Sequence, residues 1–286
     1  RSRGLGDVYK RQEQVMARKP KKPAGILLSV ISTVFCVIAL GIPVGSNLIM
    51  SFSSSVSIQK FVFTTENYRQ VFSSTDTMIS GIRHSLGLAA VSAVLGIVIG
   101  FCVAYVLTYS DFKLKKMIDM LTLVAMAVPG VVLGIGYIFI WNQKWLSKIG
   151  LHLYGHPSIL VLASVAAAIP MINRVLVGGM AKIPSSLLVA AQMQGAGFFT
   201  KIKTVLLPLL HNSSVSAVLA AFGGSVFNLA ITTILYPPNY STLPVYISDS
   251  YNDLKFGYAA AATIIGGIFI IAIMLALAAI LNAGYL

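Results

Sequence analysis

The side chains that could carry acid–base, nucleophilic or metal chemistry are few and widely spaced in this chain. Of the eight carboxylates, Asp119 alone falls within a long apolar run, in the first turn of that run. A carboxylate there is typical of an N-terminal helix residue, because the helix dipole favours it. The four histidines lie near the ends of apolar runs, while Cys36 and Cys102 lie inside such runs without Cys-x-x-Cys spacing. The sequence therefore predicts no catalytic constellation, no metal site and no disulfide.

The sequence also offers no energy source of its own. No glycine-rich loop ending in Gly-Lys-Ser/Thr is present, so we expect that this chain does not hydrolyse ATP. No acidic residue lies in the middle of an apolar run, whereas proton- or sodium-coupled carriers use ionisable side chains within the membrane. A self-powered carrier is therefore disfavoured. An ATP-independent channel or carrier and a membrane scaffold remain as alternatives.

The composition is that of an integral membrane protein. The chain has 286 residues, of which 57% are hydrophobic and 10% charged, whereas soluble domains carry roughly 25% charged residues. The net charge of +13 raises the alternative of nucleic-acid binding. However, the basic residues lie at the ends of apolar runs, as topology signals do, and do not form a basic face. We therefore expect contact with membrane lipids and no nucleic-acid partner.

Six apolar runs are long enough to span a membrane, which takes roughly 20 residues each. They cover residues 24–52, 84–110, 117–141, 158–180, 209–236 and 257–281. The sequence therefore predicts an all-α fold with six transmembrane helices in one domain, residues 24–286. Residues 1–23 are predicted to be a cytoplasmic tail. Within it, residues 1–12 resemble a spurious leader, and Met16 would then be the natural start. The alternative is that they belong to a genuine disordered cytoplasmic tail.

The distribution of basic residues predicts the orientation of these spans. With the amino terminus inside, the inner segments 13–23, 110–116 and 181–207 carry ten Lys and Arg residues. The longer outer segments 53–82, 143–157 and 237–256 carry five. Because cytoplasmic loops are enriched in Lys and Arg, both termini are predicted to lie in the cytoplasm.

One amphipathic segment, residues 183–208, separates the fourth and fifth runs and is called the coupling stretch below. It is predicted to contain a short helix over residues 185–194 and a sharp turn at Gly195 and Gly197. A second helical piece is predicted over residues 198–206, and Pro208 is predicted to begin the fifth span. The alternative is a helix that merely lies on the membrane surface.

The coupling stretch resembles the cytoplasmic "EAA" loop of bacterial ABC-importer permeases. The pattern of that loop is Glu-Ala-Ala, three residues, Gly and, about ten residues later, Leu-Pro. Ala190-Ala191, Gly195-Ala196 and Leu207-Pro208 match it in register. Val189 stands where the family usually has the glutamate, so the ion pair of that glutamate is unavailable and Lys201, Lys203 or backbone contacts would replace it.

The resemblance implies a type I ABC-importer permease with a MetI-like fold. In that family the short helix inserts into a groove of a separate ATPase dimer, which binds ATP and Mg, so no cofactor is expected on this chain. Closure of the ATPase dimer would then move the spans as rigid bodies. The residues expected to couple to the ATPase are Val189, Ala190, Ala191, Gly195, Ala196, Lys201 and Pro208.

Arg174 is the one basic residue well inside an apolar run. It is interpreted either as a topology anchor that snorkels to the cytoplasmic surface or as a brace for the coupling helix. The second interpretation comes from the family, in which Pro-x-x-x-Arg recurs before the loop, here Pro170 to Arg174.

A translocation path is predicted from polar and helix-breaking residues. Asn228, Thr232 and Thr233 lie near one face of the fifth span, with Gly223-Gly224 as a flexible point. Alternatively, their side chains bond only the carbonyls of their own helix. Pro129-Gly130 in the third span is interpreted either as a kink that frees backbone carbonyls into a cavity or as a simple packing kink.

The substrate prediction comes from resemblance alone. Residues 129–134 and 235–243 resemble permeases of the ferric-iron branch, which shades into phosphonate, polyamine, sulfate and thiamine importers. The resemblance also implies an extracytoplasmic substrate-binding protein and a second permease half, as a homodimer, a heterodimer or a fused repeat. The implied location is the bacterial inner membrane.

Overall fold

The computed structural model describes residues 22–54, 61–151 and 153–283. Residues 1–21, which carry the predicted leader and most of the tail, lie outside the described residues, as does His152. The described part of the chain is helical, and its only β contact is an isolated bridge between Ser53 and Phe63. By contacts the chain divides into two compact units, residues 1–50 and 51–286.

The first unit contains a single apolar helical segment. It consists of α1 (Lys22–Cys36), a π-helical turn (Val37–Gly41) and α2 (Ile42–Ser51). Residues 25–51 are apolar and long enough to cross a membrane, and none of the most apolar window is buried within the protein. A helix that is apolar on every side fits a lipid environment.

The second unit is organised around α4 (Thr75–Tyr109), which packs on α8 (Pro157–Met180) and α12 (His211–Val226). A short helix, α3 (Glu66–Ser73), precedes it. The predicted second span began at residue 84, but α4 begins nine residues earlier. Its 35 residues extend roughly 52 Å, which exceeds the roughly 30 Å hydrocarbon core, so the polar first turns project beyond it.

The predicted third span is broken rather than kinked. α5 (Lys115–Ala127) and α6 (Gly130–Trp141) are bent by 108° at Val128 and Pro129. Both residues have extended backbone, because proline cannot continue a helix and also disfavours helical geometry in the residue before it. The bend is consistent with a broken span or with a re-entrant loop.

The predicted fifth span, residues 209–236, is also divided. α12 ends at Val226, and the short helix α13 (Leu229–Leu235) begins after Phe227 and Asn228. The prediction that Gly223-Gly224 provides the flexible point is wrong, because both glycines lie within the continuous α12. The break occurs at Asn228 because its side-chain oxygen accepts from the Ile231 N–H at 3.1 Å and starts a new helix.

The remaining elements complete the spans and their connections. α7 (Lys144–Lys148) precedes α8, while α14 (Leu243–Asn252) precedes α15 (Phe256–Ala283), the predicted sixth span. Among the described residues, four helices are long and apolar enough to cross a membrane. The number rises to six if each bent pair is one span, namely α5 with α6, bent by 108°, and the helical segment Phe198–Leu209 with α12, bent by 78°. The six-span count thus depends on the two bent pairs.

Candidate functional site: the coupling stretch and the cavity at the helix breaks

The coupling stretch begins with the short helix α9 (Ser185–Met193), as predicted. Gly195 then takes φ +83°, and two backbone bonds close the helix end, Ala196 N–H to Ala191 O at 3.0 Å and Gly195 N–H to Gln192 O at 2.9 Å. This is a Schellman end, which needs the left-handed conformation that glycine adopts without penalty. Gly197 has φ −70°, so its backbone makes no such demand.

α9 has one buried side and one exposed side. Leu188 is 9% exposed and packs into the main apolar cluster with Met180 and Leu206. Met193, by contrast, is 85% exposed and Val189 58% exposed. They are four residues apart and therefore lie on one helix face. The result is a short helix fixed from behind that presents apolar side chains outward.

The second helical piece of the coupling stretch is irregular. It runs through α10 (Phe198–Lys201), a π-helical turn (Ile202–Leu206) and α11 (Leu207–Leu209). Pro208 lies in its last turn and not at the start of the next span, so that prediction is wrong. A proline within a helix crowds the carbonyl four residues before it. Here the turn before Pro208 is π-helical, because the Leu207 N–H donates to Ile202 O, five residues earlier and not four.

Lys201 and Phe199 complete the surface of the coupling stretch. The Lys201 Nζ donates to Gln192 Oε1 at 3.2 Å, joining the second piece to α9. Phe199 is 82% exposed and extends the apolar surface of α9. Lys203 is also exposed. Lys201, by contrast, is only partly exposed.

Tyr109, which the sequence analysis missed, fastens the coupling stretch to α4. Its hydroxyl donates to Met180 O at 2.9 Å and is also 3.2 Å from Ile183 O. One turn earlier, the ring of Tyr105 meets Phe198 edge-on at 5.4 Å. The sequence signal was a pair of tyrosines at the inner end of a span, which by itself indicates only a membrane interface.

Arg174 does not contact the coupling stretch through the polar bonds that the structure describes. Its guanidinium forms an ion pair with Asp119 at 2.7 Å and donates to Thr122 Oγ1 at 2.9 Å, both on α5. α5 has no buried residue, and Asn173 on α8 also donates to Thr122 Oγ1 at 3.4 Å, so polar bonds help to join α5 to α8. Among the described residues, polar bonds therefore join Tyr109, and not Arg174, to the start of the coupling stretch.

A cavity of about 390 Å³ lies where the helix breaks meet, and we call it the break cavity. It brings the predicted path residues Gly130 and Asn228 together with Pro170. Its lining is apolar apart from Asn228: Ala125, Met126, Val128, Gly130, Leu133, Ala166, Ala167, Pro170, Met171, Asn228, Ala230 and Ile231. Pro129 forms the adjacent break.

Two short helices approach closely beside the break cavity. A methyl group added at Gly130 would lie 3.0 Å from Ala230 Cβ, and one at Gly134 would lie 3.1 Å from Ile234 Cγ2. α6 and α13 can therefore pack this closely only because both positions are glycine. The contact brings together two breaks about 100 residues apart in the sequence.

Thr232 and Thr233 make the bonds of the alternative interpretation, in which their side chains bond carbonyls of their own helix. The Thr232 hydroxyl donates to Asn228 O, and the Thr233 hydroxyl donates to Leu229 O at 2.7 Å, so both bond carbonyls of their own helix. Thr232 is buried and Thr233 exposed, which places them on different sides of α13. Across residues 22–54, 61–151 and 153–283, no three His, Cys, Asp or Glu side chains are grouped as a metal site.

The bent apolar helices and the exposed coupling stretch are features of a multi-pass membrane permease. The profile of the family "Binding-protein-dependent transport system inner membrane component" matches residues 93–285. The chain belongs to this family, whose members are the membrane-embedded permease subunits of ABC importers. The predicted membership is confirmed.

Curated relatives within the family carry different transport names. The chain is 24% identical over 216 residues to the ferric transport system permease protein FbpB of Actinobacillus pleuropneumoniae, covering 75% of this chain and 30% of the relative. It is 24% identical to the putative 2-aminoethylphosphonate permease PhnV of Salmonella paratyphi A (88% and 91% covered). It is 26% identical to the spermidine/putrescine permease PotC of Escherichia coli (79% and 83%).

The chain therefore spans less than a third of the length of the ferric permeases that it matches, 30% of one and 25% of another, from Haemophilus influenzae. Solved structures agree on the fold. A bacterial ABC transporter involved in alginate import superposes with a TM-score of 0.69 at 17% identity, covering 92% of this chain and 96% of the other. The MetNI methionine ABC transporter gives 0.54 at 21% identity, covering 73% and 94%. The predicted all-α type I permease fold is confirmed.

Proposed function

We propose that this permease is driven by a separate ATPase dimer that docks on the coupling stretch. The observation that carries the proposal is the two-sided construction of α9. Leu188 and the backbone at Ile183 are held by the core and by Tyr109, whereas Val189, Met193 and Phe199 form an exposed apolar surface. A partner gripping that surface would move the spans, because the helix behind it is not free to slide.

The proposed contact does not require the usual family glutamate. Val189 adds apolar area at that position, and Lys201 and Lys203 supply positive charge at the edge of the surface. We therefore propose a docking contact that is apolar at its centre and basic at its rim. Interfaces commonly have this arrangement, with a dry core and a polar rim. ATP and Mg would be bound by the partner and not by this chain.

We propose ferric iron as the cargo, delivered by an extracytoplasmic binding protein. The support is the similarity to two ferric transport permeases, together with the resemblance of residues 129–134 and 235–243 to that branch. The relatives named for phosphonate and polyamine transport are matched along most of their length, so those substrates, sulfate and thiamine are the alternatives. A second permease half would complete the path at the break cavity.

The proposed location is the bacterial inner membrane with both termini in the cytoplasm. The basis is the excess of Lys and Arg in the segments that include the coupling stretch. In this orientation the exposed surface of α9 faces the compartment that contains ATP. The loop between α13 and α14 faces the compartment of the binding protein.

The test is uptake of radiolabelled ferric iron by proteoliposomes containing the permease, its ATPase and its binding protein. We expect uptake that requires ATP and stops in the presence of a non-hydrolysable ATP analogue. Uptake that continues without ATP would show a channel or carrier instead. Uptake of aminoethylphosphonate or spermidine in place of iron would retain the ATP-driven permease and change only the cargo.

A further inference from the structure

We propose that α4 transmits motion between the coupling stretch and the opposite face of the membrane, with Tyr109 as the positioning residue at its inner end. The inference rests on the proposed docking of the ATPase. It concerns how a movement of α9 reaches the loop formed by residues 236–242, which we call the outer loop. α4 makes polar bonds at both of its ends and packs closely against α8 along its middle.

At the inner end, α4 holds both sides of the coupling stretch. The Tyr109 hydroxyl lies between the carbonyl oxygens of Met180, at the end of α8, and Ile183, just before α9. The hydroxyl has a single hydrogen, so the two carbonyls share it. A small displacement of residues 181–184, which connect α8 to α9, would shift the hydrogen bond from one carbonyl to the other. Tyr105 holds Phe198 on the far side of the turn.

At the outer end, the consecutive residues His84 and Ser85 hold the outer loop and the first residue of α14, respectively. The buried Ser85 Oγ accepts from the Leu243 N–H at 2.9 Å. His84 Nδ1 lies 2.9 Å from Ser241 O, so this ring nitrogen donates, and the imidazole stacks on Tyr240 at 4.0 Å. The outer loop connects α13, which lines the break cavity, to α14. Its position is therefore linked to the shape of the break cavity.

Between these ends α4 is built as a stiff element. It continues for 35 residues without a proline or a break. A methyl group added at Gly96 or Gly100 would lie 2.7 Å or 2.6 Å from side-chain atoms of Ile172, so α4 and α8 are in very close contact. Such packing has discrete arrangements and does not deform gradually. A displacement of the inner end of α4 at Tyr109 would therefore also displace its outer end at Ser85.

The test removes only the hydroxyl and follows the outer loop. The assembled complex is placed in nanodiscs, with Pro238→Cys as a reporter in a Cys36→Ala, Cys102→Ala background. The rate of maleimide labelling is measured with and without ATP. We expect Tyr109→Phe to reduce the ATP-dependent change in labelling roughly fivefold. This factor corresponds to the free energy of about 1 kcal/mol that one neutral hydrogen bond contributes. Tyr105→Phe, one turn away, is the matched control and should keep the full change.

Ser85→Ala provides an independent variant at the other end of α4 and should give the same loss while ATP hydrolysis continues. A full ATP-dependent change in either Tyr109→Phe or Ser85→Ala would overturn the linkage and leave the docking proposal intact. If the complex with native Tyr109 and Ser85 binds no ATPase, both proposals fail. The two failures are therefore distinguishable.

Discussion

The coupling stretch and the break cavity are held together in opposite ways. The coupling stretch has one side buried and the other exposed, with Leu188 9% exposed on the first and Met193 85% exposed on the second. The break cavity depends on glycines that let two backbones approach, with added methyl groups meeting atoms at 3.0 to 3.1 Å. The first region has the exposed apolar surface that the proposed docking requires, and the second is closely packed within the chain.

This difference predicts different sensitivities. A new charge should damage the coupling stretch, because a docked partner would bury that charge without a counter-ion. Added volume should damage the region of the break cavity, because close packing leaves no space for it. The two regions can therefore be separated by paired substitutions within each of them.

The largest effect is expected from Met193→Asp. A carboxylate at the centre of the apolar docking surface would be buried unpaired, at a cost of about 3 kcal/mol or more. We expect the affinity for the ATPase to fall roughly 100-fold, measured by titration of the ATPase onto the permease in nanodiscs. Val189→Glu is the matched control, because it adds the same charge one turn away at the position of the family's glutamate, where the partner's surface would supply the counter-ion of the usual ion pair. Equal losses in both variants would contradict a specific docking geometry.

The next effect is expected from Gly195→Val. Left-handed backbone costs an L-residue roughly 1–2 kcal/mol, and more if it is β-branched, so the Schellman end should open. No atom lies within 4 Å of an added Cβ, which makes this a test of the backbone alone. We expect ATP-driven transport to fall about tenfold with the protein still inserted. Gly197→Ala, also in open space but with φ −70°, should transport normally.

Gly195→Asp is the milder version of the same change, because Asp tolerates the left-handed region better than most residues. We expect it to leave the spans inserted and to uncouple the ATPase. Substrate-stimulated ATP hydrolysis that is unchanged in this variant would count against the docking role of the turn.

A smaller effect is expected from Gly134→Val beside the break cavity. The added side chain meets Ile234 and forces α6 away from α13, at a cost of about 1–3 kcal/mol. We expect a lower thermal unfolding midpoint in detergent and reduced transport, but unchanged ATPase affinity. Gly136→Val is the control on the same helix, because nothing lies within 4 Å of its Cβ position. Similar midpoints for the two variants would show that close packing does not matter here.

The smallest effect is expected from Asp119→Asn. The carboxylate is 45% exposed, and ion pairs of this kind contribute about 1 kcal/mol or less. We expect a slightly lower unfolding midpoint and normal ATPase affinity, because Arg174 and Asp119 join α5 to α8 and not to the coupling stretch. Asp111→Asn, in the loop before α5, is the control. A loss of ATPase affinity in Asp119→Asn would restore the brace role to Arg174.

The regions also differ in what the sequence predicted. The membrane class and the α9-turn arrangement followed from local patterns, since the apolar runs and Gly195 each signal structure within a few residues. The permease fold followed from the family resemblance, which rests on Ala190-Ala191, Gly195-Ala196 and Leu207-Pro208. The break cavity did not follow, because Gly130 meets Ala230 only after both helices break and fold together. The position of the second break was missed because a Gly-Gly pair is the stronger signal of a helix break in a sequence. Asn228 starts a new helix only because its side chain bonds the Ile231 N–H in the folded chain.

Tyr109 was missed for a related reason. Its bonds reach Met180 and Ile183, more than 70 residues away, and no spacing in the sequence relates them. Pro208 was misplaced because proline usually begins a helix, whereas here a π-helical turn allows the preceding helix to continue through it. Contacts between distant segments therefore account for most of what the sequence left undetermined.

The most direct test is photo-crosslinking from position 193 in intact cells. A benzophenone amino acid replaces Met193, the most exposed large apolar side chain of α9, and the same probe at Ile38 in the apolar first unit is the control. We expect position 193 to form a covalent adduct with the ATP-binding subunit and position 38 to form none. An adduct with lipid alone at position 193, in cells that transport normally, would contradict docking of the ATPase on the coupling stretch.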